Sequence, residues 1–133
     1  MRTANRLTGV VVGGASVLLG VLGIAVSLPT GFLGPAVPVL GVLSANPLLG
    51  LIQVVVGAIL VSAALGGQRA SRTANAWVGA FLLALGIAGL FLVGAEVNPI
   101  AETATVNAAH FGASALLLLV GLGADRDQPG PPS

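Results

Sequence analysis

The chain has 133 residues, 56% of them hydrophobic and 7% charged, with a formal net charge of +1 and a mean hydropathy of +1.05. A soluble domain carries about a quarter charged residues, and here no Asp, Glu, Lys or Arg occurs between Arg6 and Arg69. The composition therefore excludes ordinary soluble enzymes and nucleic-acid binders, and the absence of cysteine excludes disulfides, thiol redox chemistry and Cys-ligated metal centres.

The first apolar stretch covers about residues 7–28 and stops at Pro29. It follows Arg2 and Arg6 and is longer than the 7–15 residues or so of a secretory core, so it reads as a retained helix. Residues 29–45 carry Pro29, Pro35 and Pro38 beside Phe32, Leu33, Val37, Val39, Leu40, Val42 and Leu43, with no charge. Such a loop is expected to lie as an apolar cap across the helix ends or in the headgroups; a docking surface or a lid over a lipid-facing pocket is the alternative. The second span, about 47–66, opens with Asn46 as a capping side chain and Pro47 at the first helical position. Gly66 and Gly67 end it, and residues 68–73 are expected to form a short polar turn into a third span of about 74–94. The fourth covers about 105–124, and the Pro-rich 125–133 is expected to be a disordered tail.

Each stretch is about the 20 residues that cross a bilayer, and each is continuously apolar, which fits helices and not barrel strands. The expected fold is all-α, an integral membrane four-helix bundle in one domain over 1–124. Arg2, Arg6, Arg69, Arg72 and Arg126 fall on one side of four crossings, Glu96 and Glu102 on the other. The positive-inside rule then puts both termini in the cytoplasm of a bacterial plasma membrane, with Trp77 at the interface.

The halves resemble each other. Leu19-Gly-Val-Leu-Gly-Ile24 matches Leu85-Gly-Ile-Ala-Gly-Leu90, and Gly50-Leu-Ile-Gln53 lines up with Asn107-Ala-Ala-His110, so the bundle is expected to be two parallel-repeated helical hairpins. Small residues mark the packing faces: Gly9, Gly13, Ser16, Gly20, Gly23 and Ser27 on the first helix, Gly57 on the second, Gly86 and Gly89 on the third. Such stripes let backbones approach in lipid, here within the chain or between subunits.

Asn46, Gln53, Asn107, His110 and Ser114 are the candidate polar contacts. The last three share a face of the fourth helix. Interhelical hydrogen bonding is the first reading, contact with a polar headgroup or quinone-like carbonyl the second, and a metal or haem the last, because one histidine lacks companion ligands. His110 and Ser114 have no orienting carboxylate on their helix and no oxyanion motif, so no catalytic residue is assigned, and neither a cofactor nor a metal is expected.

Asn46-Pro-Leu-Leu-Gly-Leu-Ile-Gln53 with Gly57 resembles the Asn-Pro-x-His-Asn-x-x-His…Gly motif of domain of unknown function 4383, a family of small four-span proteins common in actinobacteria. Asn107-Ala-Ala-His110 is similar to its second Asn-x-x-His. The resemblance covers about residues 7–123 and departs at Leu49, Gly50 and Gln53, where the family has His, Asn and His. It implies the topology and carries no activity. The functional expectation is a structural or accessory protein, partnered by the bilayer and by other membrane subunits or itself; a binder or carrier of a lipid, quinone or other apolar molecule is the alternative.

Overall fold

The computed structural model describes residues 3–125. The expected tail beyond Asp125 lies outside them, as do Arg2 and Arg126. Four helices, α1 (Ala4–Ser27), α2 (Pro47–Gly66), α3 (Gln68–Leu92) and α4 (Ala104–Gly123), are each long and apolar enough to cross a membrane. A small antiparallel hairpin, β1 (Val37–Val39) and β2 (Leu43–Ala45), lies between α1 and α2. The chain is a multi-pass membrane protein with a helical bundle fold.

The helix starts are set by side chains. Thr3 accepts from the Arg6 amide at 3.3 Å, Asn46 Oδ1 from the Leu49 amide at 2.9 Å, and Thr103 from the Val106 amide at 3.4 Å. Each satisfies an amide that has no partner within its own helix. Pro29 falls in a single 3-10 turn, Leu28–Thr30, that closes α1.

The link between α2 and α3 differs from the sequence expectation. Residues 68–73 are helical, and Gly67 alone turns the chain, at φ 130° and ψ 179°, a conformation that side chains disfavour. Their polarity, just after two glycines, suggests a turn. They are helical because their partners are inside the protein: Ser71 Oγ donates to the Asn5 carbonyl at 2.9 Å, and Asn75 Nδ2 to the same carbonyl and to Asn5 Oδ1, both at 3.0 Å. Asn5 Nδ2 reaches on to the Ala124 carbonyl at 3.2 Å and to Asp125 Oδ2 at 2.8 Å. Asn5, Ser71 and Asn75 are fully buried, so this network ties the start of α1, the start of α3 and the end of α4 at one end of the bundle. Burial alone would raise the Asp125 carboxyl, but hydrogen bonds from the Asn5 amide and side chain and from the Ala4 amide, together with the Arg72 charge, hold it below its ordinary value.

The helices form two hairpins, α1 with α2 and α3 with α4, and the second repeats several glycine contacts of the first. A Cβ on Gly13 would meet the Cβ of Leu60 at 2.8 Å and Val61 at 2.9 Å; one on Gly79 would meet the Cβ of Leu117 at 3.1 Å and Leu118 at 2.9 Å. Gly20 lies against Val54 as Gly86 lies against Phe111, and Gly23 against Ala45 and Gly50 as Gly89 lies against Glu102 and Asn107. The glycine face of α1 is thus packed within the chain, on α2. Gly9 joins it against Leu60 and Ala64, and Gly57 abuts the Gly13 carbonyl. Ser27 is buried and donates to the Gly23 carbonyl of its own helix.

Burial follows the solvent. Phe91, Leu119 and Trp77 are 79%, 73% and 74% exposed on the outside, where lipid is as apolar as they are. One buried cluster joins Val56, Leu60, Val78, Leu82 and Leu117 between the helices. Another, Val39, Ala45, Leu49, Ile100 and Val106, lies where the β-hairpin folds over the helix ends. The 29–45 segment is therefore an apolar cap, although Leu40 and Val42 at its tip stand 71% and 69% exposed. Leu40 and Gly41 take positive φ, 53° and 79°, to make the turn.

Candidate functional site

Gln53 on α2 and His110 on α4 occupy equivalent positions in the two hairpins, and both line one cavity of about 350 Å³. Its walls come from all four helices: Val12 and Leu19, Ile52 and Val56, Leu82 and Leu85, and Ala113 are among them. Apart from Ser16, Gln53 and His110 the lining is apolar. Val11, Ala15, Gly112 and Leu116 line it too and are exposed, so the cavity opens sideways between α1 and α4, towards the hydrocarbon. Glycine packing explains why it exists. Within each hairpin the backbones approach closely, whereas α1 and α4 have no such seam and leave a gap.

The polar groups in this gap are incompletely satisfied. Gln53 Oε1 is shut off from solvent and has no hydrogen-bond partner. A buried amide oxygen left so costs about 1–3 kcal/mol. His110 is 7% exposed, and its Nδ1 lies 2.9 Å from Glu102 Oε1. The pair is close enough for an ion contact, but neither atom is aligned for a hydrogen bond, and both Glu102 oxygens and His110 Nδ1 stand buried without a hydrogen-bond partner. With Nδ1 facing Glu102, Nε2 is the ring nitrogen left for other partners.

The sequence sets Glu102 on the outer side of the crossings and gives His110 no companion ligand. Glu102 is 2% exposed and points into the bundle. The peptide turns at Ala101, φ 51°, and Asn98 clamps the turn: its Nδ2 donates to the Glu102 carbonyl and its Oδ1 accepts from the Glu102 amide, both at 2.8 Å. The side chain then drops alongside Gly89. The missed signal lies in the repeat, which sets Glu102 opposite Ala45, itself buried beside Gly23. A position buried in one half is expected to be buried in the other.

The other polar candidates lie elsewhere. Asn107 is buried against Gly89 with Oδ1 unpartnered, and faces a cleft with Leu90, Val93 and Phe111. Ser114 is buried on α4 and does not line the cavity. Asn46 is a structural tie: besides capping α2, its Nδ2 donates to the carbonyls of Gly34 at 3.1 Å and Pro99 at 2.6 Å, joining the two loops at this end. Ser44 and Thr103, their hydroxyls 2.9 Å apart, add a second link. Ser16, expected on the packing face of α1, is half-buried on the cavity wall. Among the described residues no group of three His, Asp or Glu side chains forms a metal site.

Residues 6–123 match the family model described as domain of unknown function DUF4383, and the chain belongs to that family. No curated protein and no solved structure matches it.

Proposed function

We propose that this family member is a non-enzymatic binding protein of the membrane, which takes a lipid-soluble molecule bearing a hydroxyl or carbonyl into the cavity between its hairpins. The observation that carries this reading is the convergence of Gln53 and His110 on one laterally open, otherwise apolar cavity. Binding sites of this kind are mostly apolar with a few polar groups that fix orientation. A ligand hydroxyl would satisfy Gln53 Oε1, and a carbonyl would accept from His110 Nε2 when that nitrogen is protonated. Glu102 would act as a positioning residue by fixing the imidazole ring. The arginine distribution supports a bacterial plasma membrane with both termini in the cytoplasm.

The test is purification in mild detergent followed by mass spectrometry of retained small molecules. The wild type should hold a stoichiometric apolar molecule. Gln53→Ala with His110→Ala should lose it while the bundle stays folded, and Ala15→Phe should exclude it by filling the mouth. A wild type that retains nothing, or an Ala15→Phe protein that retains as much, would refute the reading.

An accessory role, docked to a larger membrane assembly or to itself, is the second reading. It is favoured by the exposed apolar tip of the β-hairpin, Leu40 and Val42. Co-purification of membrane subunits in fixed ratio, lost on Leu40→Ser with Val42→Ser, is its expected signature.

A further inference from the structure

A second site lies at the other end of the bundle, away from the cavity. Arg69, Arg72, Thr73, Ala76 and Trp77 of α3 and Gly121 of α4 line an open cleft of about 380 Å³. Its floor is backbone, because a Cβ on Gly121 would lie 2.7 Å from the Ala76 amide nitrogen. The helices thus meet closely below the cleft.

The charges at this end are unevenly used. Arg6 Nε donates to the Ala64 carbonyl at 2.7 Å, at the end of α2. Arg69 and Arg72 make no ion pair among the described residues, and Arg72 Nε is shut off from solvent without a partner. Asp125, the one described carboxylate at this end, feels the Arg72 charge but forms no ion pair with it, and its hydrogen bonds go to the Asn5 amide at 2.9 Å and side chain at 2.8 Å. Both arginines also stand in the first turns of α3, where the helix dipole is positive and basic side chains are disfavoured. A bound anion would offset both costs. Trp77, on the same wall and largely exposed, is the amphipathic ring that membrane interfaces favour.

We infer that this cleft binds the phosphate of an anionic phospholipid from the leaflet at the terminal end, with Arg69 and Arg72 on the phosphate and Trp77 beside the glycerol. Arginine forks match phosphate oxygens. The indole gives the lipid backbone an apolar wall with a donor at its edge.

Trp77 is the sole tryptophan, so its fluorescence reports on the cleft directly. The protein is reconstituted into phosphatidylcholine vesicles, and brominated phosphatidylglycerol or brominated phosphatidylcholine is titrated in. Wild type should be quenched by the phosphatidylglycerol at a mole fraction lower by about thirtyfold, as two basic side chains at a membrane surface would give. The preference should vanish in Arg69→Gln with Arg72→Gln and persist in Arg72→Lys, which keeps the charge. Excess inorganic phosphate should leave it intact; its loss on adding phosphate would make the cleft a free-anion site and overturn the lipid assignment. Equal quenching of wild type by both lipids overturns the proposal without recourse to any variant, and a double variant that keeps the preference overturns the assignment to these arginines.

Discussion

Gly20→Ala adds one methyl group at a close approach in the α1–α2 seam. The new carbon would lie 2.6 Å from the Gly50 carbonyl oxygen, 2.7 Å from Val54 Cγ2 and 2.8 Å from the Val54 amide nitrogen, where ordinary contact begins at 3.4 Å. Two of those three atoms are backbone, so a change of rotamer cannot relieve the clash. The helices must part, and the neighbouring Gly13–Gly57 approach loosens with them. Overpacking of this kind costs about 1–3 kcal/mol, while alanine in place of glycine returns about 0.5–1 kcal/mol of helix propensity. The net expectation is a loss of roughly 1–2 kcal/mol from these two terms. Gly14→Ala is the control on the same helix: nothing lies within 4 Å of its Cβ, so only the propensity gain remains. Reversible unfolding by sodium dodecyl sulfate in mixed micelles, followed by Trp77 fluorescence and far-ultraviolet circular dichroism, should place the two variants on opposite sides of the wild type. A Gly20→Ala protein as stable as Gly14→Ala would refute the seam as described.

Two further outcomes follow from the terminal-end network. Asn5→Ala keeps the carbonyl that takes Ser71 and Asn75 but removes the side-chain bonds to Asn75 Nδ2, the Ala124 carbonyl and Asp125 Oδ2; a loss of about 1–3 kcal/mol is expected in the same unfolding assay, and a change within error would show that the side-chain bonds contribute nothing net. Because the folded Asp125 carboxyl is held below its ordinary value, its contribution is fully present above the ordinary carboxylate range and disappears as pH falls through the lowered value. Acid titration of stability should therefore show a limb that Asp125→Asn removes; an unchanged limb would assign the effect to another group.

The spans were legible in the sequence because lipid tolerates no charge, and long charge-free runs leave few alternatives to helices. The glycine repeats carried further, since Gly13 and Gly79 do pack on equivalent residues, Leu60 and Val61 in one hairpin and Leu117 and Leu118 in the other. What escaped was polarity satisfied by distant partners. Ser71 looks like a turn residue until Asn5 is set beside it, and Asn5 itself lies between Arg2 and Arg6, ahead of the first apolar stretch. Glu102 escaped for the same reason. Sequence placed it in a loop, and only the turn at Ala101 and the clamp by Asn98 aim its carboxyl at His110. The convergence of Gln53 and His110 on one cavity was half visible in the repeat, but the gap between α1 and α4 depends on interhelical spacing that no local pattern records.

The ties made by Asn46 and Asn5 have a consequence for traffic. One joins the loops at the far end, the other joins three helices at the near end, and the opening between α1 and α4 lies between them. Held at top and bottom, the frame has its doorway in the side wall. On the function proposed above, a guest would first dissolve in the bilayer and then diffuse in along the membrane plane, so loading would follow the guest's mole fraction among the lipids and not its aqueous concentration. A head group stripped of its hydrocarbon chain would fit the room and still fail to arrive.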